Sequence, residues 1–590
     1  LSPLLFALAI EPLAVLIRSD SQYKGFEWEN GPSDRVALYA DDVLLFLSDP
    51  EQSGPRVTYI LGKFACLSGL LVNYKKSTIY RMGDEPCDMG WARDFQVATD
   101  GFNYLGVFVS PNKIVAWEKN VAPIESRMRS DIEHWSRLPL SPMGRSAIFK
   151  MMYLPRLLYQ LENFPFEVPR IKFGKLNAML RSFMWNREMP RIALTKCFQP
   201  TFLGGIATPD IESYYRASQL AIINEWWFDT TNDPAFAVEK WCLGPRTLGS
   251  LLYGKDGITG LPPATVTVIK LWKTALTQMG WSGRLTKLTP LWESKILAPL
   301  SRLQGASDWD RIGISVLGDV VEGTVVKSFQ SLQVEYELHK SQFYKYLQVQ
   351  HILVPLLRGL EDLPESSPLE GRLLVGKLGA HKVSHIYRGL MGQQRDGDFS
   401  ALRRAWEADL GPLSNEDWLE ARGSPKRVAI AIRLRLIQLR YLHRTYFTRY
   451  RLWQRGLVDS PRCLRCGEQR GDLLHTVWSC PIIQPFWNSV GRCLGEVLGG
   501  LMPLSPKLAL LHIEDEIDLN RYGGALMHLG LVLAQREIAL HWKDVVSPPP
   551  WWRGKKLWIY VCPKKLLCSR REAAHINIPR FGVLGQNAEI

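Results

Sequence analysis

The sequence predicts an α+β protein whose strands are confined to its first part and whose remainder is mostly helical. Three observations carry this. Two short apolar strands, residues 35–40 and 43–47, flank the adjacent carboxylates Asp41 and Asp42. From about Val115 onward apolar residues recur at helical spacing. Three cysteines and a histidine then cluster between Cys463 and Cys480, with the spacing of a metal knuckle. The 590 residues suffice for several domains. We divide them into 1–110 (strands and helices), 111–190 (helical), 191–420 (a helical connection), 421–500 (a basic helix and the knuckle) and 501–590 (a last helix and a basic tail).

Ser2-Pro3 reads as N-cap and first residue of a helix running toward Ile17. Glu11 and Pro12 interrupt this apolar run and no basic residue precedes it, which argues against a signal peptide. It is too short and broken to span a bilayer, and no membrane anchor is expected elsewhere. Val57, Ile60, Leu61, Phe64 and Leu67 lie on one helical face, and Gly69 follows as a C′ glycine. Residues 70–73 and 104–109 read as further strands. In the helical part, breaks fall at Leu138-Pro139, Leu154-Pro155 and Val168-Pro169, and residues 177–185 form an amphipathic segment. Residues 191–420 hold several helices separated at 260–263 and 365–368, without a repeat of fixed period. The prolines at 548–550 part a last helix, about 525–543, from a basic tail at 553–580.

Apolar residues make up 46% and charged residues 22%, as in globular proteins, and the 21 tryptophans are expected as core anchors. The net charge of +14 favours a polyanionic partner, of which nucleic acid is the commonest. The ten cysteines are sparse outside the one cluster, which points to a reducing compartment and metal binding and not to a disulfide framework.

Two adjacent aspartates repel and are disfavoured in strands, so a hairpin tip suits them and a divalent cation relieves their charge. Mg²⁺ favours one or two carboxylates plus substrate phosphates. Two such ions can clamp the attacking and leaving oxygens of phosphoryl transfer. The plainer alternative for Asp41 and Asp42 is an ordinary turn.

Cys463, Cys466, His475 and Cys480 have the form C-x2-C-x8-H-x4-C. Three thiolates and an imidazole make a closed tetrahedral Zn²⁺ site, structural because no position is left for water. Gly467 and Gly471 supply the bend, and Arg462, Arg465 and Arg470 are expected to favour thiolate. Trp478, Phe486 and Trp487 are expected around the site. The alternative is free buried cysteines beside a core histidine.

Between Lys426 and Arg455 nine cations occur and no acid. Arg433, Arg435, Arg440, Arg444 and Arg449 alternate with Tyr441, Tyr446, Phe447, Tyr450 and Trp453, a pattern for binding phosphate and stacking unpaired bases. A solvated helix face backed by Ile430, Leu434, Ile437 and Leu442 is the plainer reading.

Tyr39-Ala40-Asp41-Asp42 in its apolar frame resembles the catalytic hairpin of reverse transcriptases. Leu1-Ser2-Pro3-Leu4-Leu5-Phe6 resembles the end of the preceding polymerase motif, and residues 64–77 the following palm helix and strand, of LINE-type (non-LTR) retrotransposon enzymes. Tyr104-Leu105-Gly106 resembles the strand that supports the primer end. Leu138-Pro-Leu-Ser141, Gly144-Arg145 and Leu154-Pro155 resemble that family's thumb. Gly204-Gly205-Ile206 with Tyr214-Tyr215-Arg216-Ala217 resembles the segment after it, and the knuckle followed by Pro481 and Phe486-Trp487 its C-terminal zinc-binding region.

The resemblance implies a partial right-hand polymerase palm, an antiparallel sheet with helices, over 1–110, a thumb over 111–190 and RNA-directed DNA synthesis. It implies Asp41 as a Mg²⁺ ligand supported by Asp42, and RNA template, DNA primer or target, and dNTP as partners. Lys76 stands where a lysine faces the triphosphate, or is a solvated surface lysine. Family members act in the nucleus after cytoplasmic assembly. The family's first catalytic Asp, on an earlier strand, is not among these residues, so the chain reads as a C-terminal fragment that does not polymerise alone. The alternative is a non-catalytic, zinc-containing RNA-binding protein of retrotransposon origin.

Overall fold

A computed structural model describes residues 2–28, 33–83, 88–228, 234–244, 246–254, 257–303, 306–392, 399–428, 431–514 and 519–549. The basic tail at 553–580, Ile430 and the cysteines at 87, 562 and 568 lie outside them. The described residues are mostly helical, with five sheets of two strands each. None of their helices is long and apolar enough to cross a membrane.

The chain folds as two compact units that interleave along the sequence. Unit 1 comprises Leu1–Ser130, Pro155–Gly174 and Ile211–Gln393; unit 2 comprises Asp131–Leu154, Lys175–Asp210 and Gln394–Ile590. Residues 111–190 thus contribute to both.

In unit 1 the helix Ser2–Ser19 passes through Pro12 unbroken. The helix Pro50–Ser68 starts at Asp49, whose carboxylate accepts from the Gln52 N–H, and stops at Gly69, left-handed at φ 73°. Ile10, Leu13 and Ile17 of the first helix pack on Val57, Ile60 and Phe64 of the second. On this pair lies the hairpin Val36–Tyr39 and Asp42–Leu45. Its register sets Val36 opposite Leu45 and Leu38 opposite Val43, so alternate residues of both strands meet the core. Buried Tyr23 ties the strands together: its hydroxyl lies 2.9 Å from the Arg35 carbonyl and 2.5 Å from that of Phe46.

The other early strands differ from expectation. Residues 70–73 are not a strand; Thr78–Tyr80 is, and it pairs in parallel with Gln96–Ala98. The connection carries Trp91, which sits over Gly54 of the second helix and so turns the chain back in the same direction. Residues 104–109 are not one strand but the turn and return of a hairpin, Phe102–Tyr104 with Val107–Val109. Leu105 and Gly106 both take positive φ, 49° and 78°, as a tight two-residue turn requires. The strands therefore form separate pairs, one of them parallel, where the resemblance to a polymerase palm implies one antiparallel sheet. One pair, Val321–Glu322 with Val325–Val326, lies outside the first part to which strands were expected to be confined.

All three helix breaks occur. Helices span Ala122–Ser136, Pro142–Met152, Leu154–Glu162 and Arg170–Met184, and Ser141 caps the second by accepting from Gly144 N–H. Farther along unit 1, the helix Ile211–Trp227 is buried along most of its length beside Pro263–Gln278 and Lys382–Gly392. Its buried Asn224 is satisfied by the Leu373 and Gly376 carbonyls and the Leu378 N–H.

One core runs through unit 2, from Trp406, Leu434 and Tyr441 through Trp487 and Leu494 to Leu531 and Ile538. The single basic helix expected over 426–455 is instead three: Asn415–Arg427, Ile432–Leu442 and Arg449–Trp453. Ala431 is extended, Arg444 is left-handed at φ 52°, and Thr448 caps the third helix by accepting from Arg451 N–H. The last helix is Arg521–Leu540.

Candidate metal centre, acidic hairpin and basic cleft

At the acidic hairpin the tip is Ala40-Asp41, and Asp42 is the first residue of the return strand, opposite Tyr39. Ala40 takes φ 50°, a left-handed value that a Cβ disfavours. Asp41 and Asp42 are both exposed, and among the described residues neither carboxylate has a hydrogen-bond or ion-pair partner. Burial raises the Tyr104 hydroxyl pKa, and the charge of nearby Asp42 raises it further. Lys76 is exposed, in the turn after Asn73. Among the described residues the aspartate pair gains no third metal-ligating side chain.

The knuckle is complete. The ligand atoms of Cys463, Cys466, His475 and Cys480 all lie within 4.8 Å of one another, and Cys466 Sγ is 3.1 Å from His475 Nε2. Zn–S bonds of about 2.3 Å need sulfurs separated by about 3.8 Å, so the set fits one tetrahedral ion such as zinc. Local chemistry builds it. Gly467, left-handed at φ 76°, donates its N–H to the Cys463 carbonyl and closes the turn that presents the first two sulfurs. Gly471 lies so close to Cys463 that a Cβ would stand 3.0 Å from its Cα. Asp472 accepts from the His475 N–H, and the π-helical turn His475–Ser479 delivers the imidazole and then Cys480. Cys463 and Cys480 are buried and Cys466 and His475 half-buried. Trp487 donates its indole N–H to the Val477 carbonyl, and Trp478 and Phe486 pack beside it.

Two of the three arginines are engaged elsewhere. Arg465 donates to the carbonyls of Thr476 and His541, and Arg470 pairs with Asp472. Burial, reinforced by the neighbouring thiols, raises Cys480 to about 11. A bound cation would hold the Cys480 sulfur as thiolate.

The basic segment divides by environment. Arg444 is committed to the fold: it pairs with Asp409 at 2.6 Å, donates to the Ala405 carbonyl and lies over Trp406. Arg427 likewise pairs with Glu420. The segment's lack of acids is thus offset from outside it, by Asp409 of the preceding helix and by Glu420 of Arg427's own helix. Arg433 is exposed and Arg435 half-buried on the helix Ile432–Leu442. Arg440 and Arg449 line a cleft of about 500 Å³, together with Arg191, Arg465 and Lys543. Nothing in the sequence pattern set Arg191 or Lys543 apart, because they join the cleft only through folding.

The Gly204-Gly205 segment has a structural part in the same unit. The Leu203 carbonyl accepts from Arg422, and that of Gly204 from His443 Nε2. Burial holds His443 down to about 4, so it is neutral. A pair of neutral histidines, missed in the sequence, lies in the core. His512 and His528 meet at 3.1 Å through their Nδ1 atoms, with Gln535 on the far side of His512 and Glu514 on that of His528. Burial lowers both, His528 to about 4.

No protein-family model matches this chain.

Proposed function

We propose that the chain carries part of the palm, with the thumb and zinc-bearing regions, of a LINE-type (non-LTR) reverse transcriptase, an RNA-directed DNA polymerase, and that alone it binds nucleic acid without synthesising DNA. The observation that carries this is the hairpin: Tyr39-Ala40-Asp41-Asp42 turns so that both carboxylates are exposed and unpartnered, with Tyr104 near Asp42. Unpaired adjacent carboxylates suit a hydrated Mg²⁺ that also takes substrate phosphates. Two carboxylates without a third do not fit a clamp of two ions, so no step of synthesis is assigned to this polypeptide. Zn²⁺ at the knuckle would be structural, since its four protein ligands leave no position for substrate. The net charge of +14 and the arginines at 433, 435, 440 and 449 support RNA template and DNA primer as partners.

Primer extension on an RNA template with Mg²⁺ or Mn²⁺ tests the reading, with binding of the same RNA–DNA hybrid measured beside it. Binding without extension is expected. Extension abolished by Asp41→Asn would show a complete polymerase site. No affinity for the hybrid would sink the reading. The second reading, a non-catalytic zinc-containing RNA-binding protein, is favoured by the contrast between the complete knuckle and the bare aspartate pair.

A further inference from the structure

We propose that the cleft beside the knuckle in unit 2 takes an unpaired nucleotide of a single-stranded nucleic acid, its phosphates on the arginines and its base against the aromatic wall. This rests on the nucleic-acid reading above and adds where, and in what form, the strand is held. The lining contains five cations, Arg191, Arg440, Arg449, Arg465 and Lys543, and no carboxylate. The Nε atoms of Arg449 and Arg465 are buried without a hydrogen-bond partner. Arg465 is held in place by the carbonyls of Thr476 and His541, which occupy its terminal nitrogens, and contributes its positive charge to the wall of the cleft.

The aromatic side is equally specific. Phe447 has Arg191, Arg451 and Arg455 each 5.5 Å from its ring centre, and its carbonyl accepts from the Trp542 indole. Trp542 stacks on Tyr446, with ring centres 4.9 Å apart. Guanidinium forks beside aromatic faces are the chemistry of phosphate binding combined with base stacking. A cleft of about 500 Å³ is of a size for a small-molecule-sized group, not for a duplex. A paired base offers no free face to such a wall. Cys463, Leu464 and Arg465, in the first turn of the knuckle, form part of the lining, so the metal site also shapes the cleft.

The test is fluorescence anisotropy of the metal-loaded chain with a short labelled single-stranded RNA and with a duplex of the same sequence, over a range of salt. The single strand is expected to bind at least about tenfold more tightly. Arg191→Ala, Arg449→Ala and Lys543→Ala together should weaken single-strand binding at least about tenfold. They should also lower the salt slope by about 2, at roughly 0.7 per phosphate contact. Circular dichroism and metal content should not change, and Arg404→Ala, at an exposed cation of the same unit outside the cleft, should leave affinity as it was. If the triple variant loses its metal, Lys543→Glu alone, at an exposed position, should still weaken binding severalfold. Wild-type affinity and slope in the cleft variants would overturn the cleft and leave the nucleic-acid reading standing. Equal binding of duplex and single strand would overturn the unpaired base. No binding of either strand form by the wild-type chain would overturn both proposals.

Discussion

The acidic hairpin of unit 1 and the Cys/His knuckle of unit 2 are both short motifs, and they reach different degrees of completion. The knuckle draws all four ligands from one stretch, Cys463 to Cys480, and its turns bring them within 4.8 Å without help from elsewhere. It is also set into the unit 2 core, with Cys463, Cys480 and Trp487 all buried there. The hairpin aligns its strands equally well, on a smaller core of two helices. Yet Asp41 and Asp42 stay exposed, and no third ligand joins them among the described residues. A site whose ligands are near in sequence is finished by local geometry. A site that needs a group from a distant strand depends on that strand.

Removing a knuckle ligand should separate the two regions most. Cys480→Ser, or a strong chelator, should abolish metal binding and cost unit 2 several kcal/mol, because metal affinity in such sites is folding free energy. The hairpin has no such dependence, so a chelator should leave hydrogen-exchange protection of the strands at 36–39 and 42–45 unchanged while that of the helix Gln484–Leu498 collapses. Equal loss in both, or in neither, would break the comparison.

Acid gives a smaller contrast. His443 and His528, with folded values of about 4 against about 6.5 unfolded, are buried neutral. Their contribution is complete above about pH 6.5 and is lost as pH falls toward 4, because the unfolded state takes up the protons first. For His443 alone the loss approaches about 3 kcal/mol. The urea midpoint of unit 2 should fall over this window, and His443→Gln should flatten the decline. A midpoint independent of pH there would mean the histidines are not buried neutral.

The smallest effects belong to the hairpin. Asp41→Asn should change stability by less than about 0.5 kcal/mol, since the carboxylate has no partner to lose. Ala40→Gly should stabilise by roughly 0.5–1 kcal/mol, relieving the left-handed Ala40. A large loss from Asp41→Asn, read by thermal melting, would reveal a structural contact and count against a site poised for a cation.

Much of this was legible in the sequence. Gly69, the three proline-marked breaks and the four knuckle ligands stand where short-range rules put them. The errors came where pairing or burial crosses distance. Thr78–Tyr80 pairs in parallel across a connection whose Trp91 sits over Gly54, and the basic stretch breaks after Leu442, where Arg444 is left-handed and pairs with Asp409.

By itself, then, the sequence determined the α+β character, the hairpin around Asp41-Asp42 and the chemistry of the knuckle, since turn chemistry and period act over a few residues. Only the tertiary structure decided how the chain divides between two interleaved units. It also decided which arginines are used up by carboxylates, and that Arg191 and Lys543 meet Arg449 in one cleft. Those outcomes depend on packing between residues far apart in the chain, which no local pattern encodes.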